Sequence, residues 1–276
     1  MKNPMARFAN KRKTSEQQAS AIQLRYCLLN DKSPFAIAEA YKAMRTNLLF
    51  TRRGEKCQRV VFTSSFAGEG KTINCANLAI TLAQNGQKVL LIDADLRRPR
   101  MYKLFHVNNN VGLSEMLAGL TDWQESGDHS QVPPFQTGYH NLWLIPSGRR
   151  PPNPAELLAS PLMKKILDGM SEQFDIILID APPVSVVTDA AVLAKDVHGY
   201  ILVVRAGVTT MEDLRATVLK LEQLKVNIIG FILNDLDAKS GSYKYSSYHS
   251  NKYGYEKYAY GADQLAAQDE TGGESE

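Results

Sequence analysis

The stretch that decides the fold is Arg59-Val60-Val61-Phe62-Thr63-Ser64-Ser65-Phe66-Ala67-Gly68-Glu69-Gly70-Lys71-Thr72, in which an apolar run leads into a loop of small residues and a Lys-Thr pair. The apolar run predicts a buried strand, and the Lys-Thr pair predicts the start of a helix. Such a loop turns backbone N–H groups towards phosphate oxygens, while the lysine reaches the terminal phosphates and the threonine hydroxyl binds Mg²⁺. The strict phosphate-binding pattern has glycine at position 65, where this chain has serine. We predict that the following residues bind a nucleotide: Ser65, Ala67, Gly68, Glu69, Gly70, Lys71 and Thr72. The alternative is an ordinary strand-to-helix turn that happens to contain glycine.

Length and composition describe an ordinary globular protein. The chain has 276 residues and a formal net charge of +3, which is too small to imply binding to nucleic acid. Residues 1–13 carry five basic side chains and no acid, whereas residues 262–276 carry five acids and no base, so both ends are expected to be solvated. The three cysteines lack metal-ligand spacing and favour a reducing cytoplasm. No apolar run approaches the length of a membrane span.

The apolar runs alternate with helical patterns along the chain. Continuous apolar strands that alternate with helices indicate an α/β fold, a doubly wound and mostly parallel sheet with helices on both faces. The predicted strands are 60–64, 89–93, 142–146, 176–180, 200–205 and 228–233, and the predicted helices are 35–50, 72–84, 157–170, 189–195 and 211–224. We expect a flexible basic arm at residues 1–32, a nucleotide-binding domain at 33–238 and a disordered tail at 239–276.

Three aspartates follow predicted strands at the edge that carries the glycine-containing loop. Asp93 and Asp95 end the second predicted strand, where a period of two puts them on the same side, and Asp180 ends the fourth. Ligands of parallel sheets bind at this edge, and Mg²⁺ prefers carboxylate and hydroxyl oxygens. The sequence therefore predicts a site for a Mg²⁺-nucleotide. An Asn-Lys-x-Asp signature for guanine is not found, which favours ATP; Asn234 is a candidate for contact with the base and equally for capping its own loop.

A second unusual feature is the concentration of tyrosine near the C-terminus, where seven of the twelve tyrosines fall within residues 243–260. These are Tyr243, Tyr245, Tyr248, Tyr253, Tyr255, Tyr258 and Tyr260. Polar and glycine residues separate them, so the segment cannot bury its rings in a core. Three interpretations stand: an adhesive low-complexity tail, a stacking platform for single-stranded nucleic acid, or a set of phosphate acceptors.

In this order the motifs resemble the bacterial tyrosine autokinases of polysaccharide export, over roughly residues 33–260. The resemblance rests on the loop at 64–72, on Ile92-Asp93-Ala94-Asp95-Leu96-Arg97-Arg98-Pro99, on residues 151–158 and 180–183, on Thr188-Asp189-Ala190 and on the terminal tyrosine cluster. It implies a P-loop ATPase fold that phosphorylates tyrosine with ATP and Mg²⁺. By position, Lys71 would bind ATP, Thr72, Asp95 and Asp180 would bind Mg²⁺, and Asp93 would orient or deprotonate the tyrosine hydroxyl.

The resemblance also implies partners. In the family, the tail of one subunit enters its neighbour's active site within a ring, whose contact uses a helix with Glu, Arg and Arg three residues apart. Glu39 and Arg45 match this pattern, while Lys42 replaces the middle arginine and cannot form a bidentate pair. From spacing alone, these three residues are better explained as a row of local salt bridges on one helix face.

Two departures from the wider pattern carry information. Related partition and septum-positioning ATPases have a lysine where this chain has Phe66, which argues against that branch. Fused members of the family carry membrane-spanning helices before the kinase, and the chain resembles the split arrangement instead. The resemblance implies a cytoplasmic enzyme recruited to the inner face of the plasma membrane by a separate membrane-spanning adaptor, with a cognate tyrosine phosphatase as a further partner. The alternatives are a dimerising ATPase switch without kinase activity and a scaffold that binds ATP without turnover.

Overall fold

The computed structural model describes residues 27–51, 54, 56–121 and 133–236 of the chain. Within these residues, seven strands alternate with eight α-helices and one short 3₁₀ helix at Ala194–Asp196. In chain order the elements are α1 (Phe35–Phe50), β1 (Gln58–Ser64), α2 (Lys71–Gln84), β2 (Val89–Asp93), α3 (Met101–Phe105), α4 (Leu113–Leu117), β3 (Phe135–Gln136), β4 (Leu142–Ile145), α5 (Pro154–Leu158), α6 (Pro161–Ser171), β5 (Ile176–Asp180), α7 (Asp189–Val192), β6 (Gly199–Arg205), α8 (Met211–Gln223) and β7 (Ile228–Asn234).

The strands form one sheet in the order β3-β4-β2-β5-β1-β6-β7. All neighbouring pairs are parallel except β3 and β4, which are antiparallel. The predicted α/β fold with a mostly parallel sheet is therefore confirmed. The six predicted strands agree with the observed ones to within two residues at either end, because continuous apolar runs are typical of strands that are buried on both faces.

The sheet separates two hydrophobic cores. Val60 and Phe62 of β1 point into the core beneath α1 and α2, whereas Val61 points into the core beneath α4, α6 and α8. Because side chains alternate from one face of a strand to the other, a single apolar strand supplies both cores. This burial holds the carboxyl ends of β1, β2, β5, β6 and β7 at a common edge, where the nucleotide was predicted to bind.

Several predicted boundaries differ from the structure. The helix predicted at 157–170 is two helices, since Pro161 has no N–H to donate and begins α6 instead of continuing α5. The helix predicted at 189–195 ends at Val192 and gives way to the 3₁₀ turn. The short elements α3, α4 and β3 were not predicted, because five residues or fewer show too little periodicity.

The boundary predicted for the flexible arm is wrong at its C-terminal end. Leu28 and Leu29 are buried in the core beneath α1 and α2. The backbone N–H of Leu29 donates to Asn77 of α2, and its carbonyl oxygen accepts from Tyr139. These two leucines precede α1 and form part of the folded structure. None of the helices in the described ranges is both long and apolar enough to cross a membrane.

Candidate active site

A cavity of about 410 Å³ lies at the carboxyl edge of the sheet, between the loop after β1 and the loops after β2 and β5. Of the residues predicted to bind nucleotide, five line this cavity: Ala67, Gly68, Gly70, Lys71 and Thr72. Ser65 does not line it, because its buried hydroxyl accepts a hydrogen bond from Thr217 of α8 at 2.8 Å. The small residues of the loop therefore leave open space in front of the first turn of α2, where backbone N–H groups and the helix dipole favour an anion.

Lys71 lies between two of the predicted metal ligands. Its Nζ atom is 2.9 Å from Oδ2 of Asp95 and 3.3 Å from Oδ1 of Asp180. Burial on its own lowers the pKa of Lys71, but the carboxylates of Asp180 and Asp95 more than offset this and hold the pKa above its ordinary value. The ammonium group therefore stays charged and occupies the space between the two carboxylates.

Three oxygen-bearing side chains meet at Lys71: Thr72 and Asp95 line the cavity, and the buried Asp180 contacts Thr72 and Lys71 from outside the lining. Thr72 Oγ1 donates to Oδ2 of Asp180 at 2.6 Å, and Asp95 lines the cavity. Burial raises the pKa of Asp180, while Lys71 and the Thr72 hydroxyl oppose that shift. A hydroxyl and two carboxylates around a bound cation are the chemistry that suits Mg²⁺, with water and phosphate oxygens as further ligands. The residues present therefore fit the predicted metal.

Asp93 does not line the cavity beside Thr72 and Asp95. Its side chain is fully buried, and its oxygens accept from backbone N–H groups of Asp95, Arg100 and Met101 at 3.1 to 3.2 Å. Burial raises the pKa of Asp93 to about 7, helped by the nearby Asp180 and opposed by Lys71 and the Met101 N–H group. Asp93 thus organises the loop after β2 and the start of α3, and it does not line the cavity. Within the described residues, His, Cys, Asp and Glu form no cluster of three able to hold a metal ion.

Glu69 connects the phosphate-binding loop to the loop after β6 and to the last residue of β7. It is buried, its carboxylate accepts from the N–H group of Phe66 at 2.9 Å, and the hydroxyl of Thr209 donates to it. Asn234 donates from Nδ2 to the carbonyl oxygen of Glu69 at 3.0 Å. Glu69 and Asn234, both predicted to bind the nucleotide, do not line the cavity. Their hydrogen bonds stabilise the conformation of the phosphate-binding loop instead.

Gly70 shows how closely the loop is packed. Its φ of +93° lies in the left-handed region that favours glycine, and a Cβ atom there would meet Nδ2 of Asn234 at 2.2 Å. Only a residue without a side chain fits, so α2 can begin at Lys71 with its N–H groups facing the cavity.

Three arginines of the loop after β2 also line the cavity, and sequence analysis assigned them no role. Arg97 pairs with the fully buried Asp189 at 2.8 and 2.9 Å, through a bidentate contact between residues far apart in sequence. Arg98 and Arg100 have no carboxylate partner among the described residues. The signal available in the sequence was the density of arginine directly after an acidic strand end.

The three residues considered for a ring contact lie on α1. Lys42 Nζ is 2.7 Å from Oε1 of Glu39, and both side chains are partly or largely exposed. Arg45 donates to the carbonyl oxygen of Thr81 in α2 at 3.3 Å. Within one chain, a local salt bridge and a contact between two helices account for these side chains. All seven tyrosines proposed as phosphate acceptors, Tyr243 to Tyr260, lie outside the described residues.

Comparisons with known proteins show which sequences this chain is similar to. A family model described as an AAA domain matches residues 58–229. The chain is 36% identical to tyrosine-protein kinase YwqD of Bacillus subtilis over 197 residues, which cover 71% of this chain and 80% of that protein. It is 36% identical to tyrosine-protein kinase etk of Escherichia coli K12 over 240 residues, covering 87% of this chain but 32% of the longer relative.

Solved structures of tyrosine kinases are also similar to this chain. The kinase domain of Escherichia coli tyrosine kinase ETK superposes with a TM-score of 0.67 at 36% identity, covering 75% of this chain and 78% of that one. The septum site-determining protein MinD from Pyrococcus horikoshii, solved with Mg-ADP, superposes with a TM-score of 0.53 at 25% identity, covering 64% and 70%. The tyrosine kinases are thus closer in sequence and in structure than the septum-positioning protein.

Proposed function

Because this chain belongs to the family of bacterial tyrosine-protein kinases, we propose that it transfers the γ-phosphoryl group of ATP to tyrosine hydroxyl groups in the tail of a second copy of the same chain. The kinase is assigned to residues 33–238 together with the buried Leu28 and Leu29, and the acceptor tyrosines to residues 239–276. The observation that carries the proposal is the meeting of four side chains: Lys71, Thr72 and Asp95 line one cavity, and the buried Asp180 contacts Lys71 and Thr72.

The residues of the cavity divide the work of phosphoryl transfer. The N–H groups at the start of α2 and the side chain of Lys71 bind the phosphates, while Thr72, Asp95 and Asp180 hold Mg²⁺. Bound Mg²⁺ neutralises charge that develops on the phosphate oxygens. Lys71 leaves its position between the two carboxylates when the nucleotide enters. Its ammonium group thus pairs with Asp95 and Asp180 in the empty site and with phosphate in the occupied site.

In the transfer step, the tyrosine oxygen forms a bond to the γ-phosphorus as the bond from that phosphorus to the bridging oxygen breaks. ADP leaves with the electron pair, and the phenolic proton passes to a carboxylate at the cavity or to water. Positioning and charge stabilisation supply most of the catalysis in such reactions. Asp95 is the carboxylate that lines the cavity, so besides holding Mg²⁺ it is the acid that we assign to contact the incoming hydroxyl. Asp93 is a positioning residue for its loop.

Membership of the kinase family is also the basis for the partners and the location that we propose. A membrane-spanning adaptor brings the kinase to the inner face of the plasma membrane and activates it through a cytoplasmic tail. Copies of the chain assemble as a ring through α1, and phosphorylated tails add negative charge that loosens it. A tyrosine phosphatase resets the cycle, and the system regulates polysaccharide synthesis or export.

Transfer between copies is tested by mixing two forms of the full chain. Unlabelled wild-type protein is incubated with Mg²⁺ and ATP beside isotopically heavy Lys71→Met protein, with and without the adaptor's cytoplasmic tail, below the unfolding temperature of the variant. Mass spectrometry should find phosphate on heavy peptides from residues 243–260. The control is a heavy Lys71→Met chain in which the seven tail tyrosines are phenylalanine. Hydrolysis of ATP with no phosphotyrosine in the presence of the adaptor would favour the ATPase switch instead.

A further inference from the structure

The loop that connects β2 to α3 carries three arginines within four residues, and its backbone is fixed by the acids that precede it. The N–H group of Arg98 donates to Oδ1 of Asp95 at 3.0 Å. The N–H group of Arg100 donates to Oδ2 of Asp93 at 3.2 Å. These hydrogen bonds fix the backbone from which the arginine side chains reach the cavity, which reduces the ordering that a charged ligand must impose.

The three guanidinium groups differ in what they contact. Arg97 is engaged by Asp189, whose carboxylate is fully buried and accepts two hydrogen bonds from it. Arg98 and Arg100 also line the cavity, yet neither side chain forms a hydrogen bond or an ion pair with any described residue. Two positive charges are therefore available at the cavity while the third is committed to the fold.

The charge of a nucleotide explains this arrangement. Lys71 is a single cation, and the charge of a bound Mg²⁺ is balanced by Asp95 and Asp180. The triphosphate of ATP carries more negative charge than Lys71 alone neutralises. Phe66 in the same loop is apolar and cannot contribute a charge. Among the described residues that line the cavity, the remaining cations without a carboxylate partner are Arg98 and Arg100.

We infer that Arg98 and Arg100 bind the phosphate groups of the nucleotide and supply positive charge that Lys71 cannot provide alone. Arginine suits this task, because its planar guanidinium forms bidentate hydrogen bonds with phosphate and remains charged at every physiological pH. The inference rests on the proposed nucleotide-dependent function and names further residues of that same site.

Isothermal titration calorimetry of the full chain tests the inference without relying on kinase activity. Wild-type protein, Arg98→Gln, Arg100→Gln and the double variant are titrated with Mg-ATP. Each single variant should raise Kd by about tenfold, which is typical for the loss of a hydrogen bond to a charged group, and the double variant should raise it further. Arg215→Gln is the matched control, because it removes one exposed positive charge from α8, outside the cavity, and should bind as the wild type does.

Two comparisons keep the outcomes distinct. Arg98→Lys and Arg100→Lys retain the charge and should bind Mg-ATP more tightly than the glutamine variants do. A merely structural role would instead lower the unfolding temperature of nucleotide-free protein. Equal Kd values for the wild type and the double glutamine variant would overturn the inference. If the wild type itself fails to bind Mg-ATP in this assay, the proposed function fails instead.

Discussion

Lys71 Nζ lies 2.9 Å from Oδ2 of Asp95, so the lysine that is proposed to bind phosphate contacts a carboxylate that is proposed to bind metal. Both side chains are about nine-tenths buried. Without nucleotide, this contact keeps two charges satisfied inside the protein, where an unpaired charge would be costly. When nucleotide binds, we expect the two groups to separate, Lys71 to contact phosphate and Asp95 to contact the metal ion.

Replacing Lys71 with methionine should destabilise the nucleotide-free protein by about 3 kcal/mol, because it leaves buried carboxylates without a counter-ion. Urea unfolding measures the loss. Adding Asp95→Asn removes one of those carboxylates, so the double variant should be less destabilised than the sum of the singles by about 1 kcal/mol or more. Strict additivity of the two effects would show that the pair contributes nothing to the free energy of unfolding.

Stability without nucleotide should fall as pH rises through the range set by Asp93. Its pKa in the folded state is about 7, above the ordinary value of about 4. Between these values the folded state binds the proton and the unfolded state has lost it, so unfolding becomes easier as pH increases, by at most about 1.4 kcal/mol per pH unit.

Urea unfolding from pH 5 to pH 8 measures this dependence. Asp93→Asn removes the titrating group, so its stability should decline less steeply above pH 5 than that of the wild type. Its amide nitrogen cannot accept a backbone N–H group as the carboxylate does, so the variant should also be less stable at every pH. Parallel curves for the two proteins across the whole range would contradict the raised pKa.

Thr209→Val should loosen the phosphate-binding loop, because it removes the hydroxyl group that donates to the buried carboxylate of Glu69. The same hydroxyl also accepts from the N–H group of Arg205 at 3.2 Å. Loss of the hydrogen bond to the carboxylate alone typically costs about 1.5–3 kcal/mol of stability, and loss of the second adds to it. We expect that loss in urea unfolding, together with weaker Mg-ATP binding. Thr209→Ser retains the hydroxyl and should remain close to the wild type; equal loss in both variants would point to the methyl group instead.

Arg97→Ala should lower the free energy of unfolding by about 1–3 kcal/mol, because the fully buried Asp189 loses the two hydrogen bonds that it accepts. Urea unfolding of Arg97→Ala, Asp189→Asn and the double variant measures the change in the free energy of unfolding. The double variant should be more stable than the sum of the singles predicts, since no unpaired carboxylate remains. Arg215→Ala is the control for the loss of an exposed arginine.

Lys42→Glu should affect self-association and leave the single chain almost unchanged. An exposed salt bridge such as that between Lys42 and Glu39 contributes at most about 1 kcal/mol. Sedimentation velocity should show a smaller assembly for this variant, and Arg215→Glu, an equal change of charge on α8, should not. If both variants assemble as the wild type does, α1 is not the contact between copies.

Local sequence patterns were sufficient to predict individual helices and strands, because each is formed by one continuous stretch of the chain. The helix predicted at 35–50 has those bounds in the structure, and the strands that end at Asp93 and Asp180 match at both ends. The prediction that Asp93 and Asp95 share one side failed for a physical reason. The period of two applies only within a strand, β2 ends at Asp93, and the chain then turns. Only Asp95 therefore lines the cavity.

The sequence by itself determined the sheet, the phosphate-binding loop and the acids at its carboxyl edge, because these follow from apolar runs, glycine and residues at strand ends. Tertiary structure alone decided which charges are paired. Arg97 and Asp189 are 92 positions apart, and Thr209 and Glu69 are 140 apart. Such partners are chosen by how strands and helices pack in three dimensions. For that reason the loop at 59–72 indicated a nucleotide, whereas only the folded chain distinguished the arginine held by Asp189 from the two that remain available at the cavity.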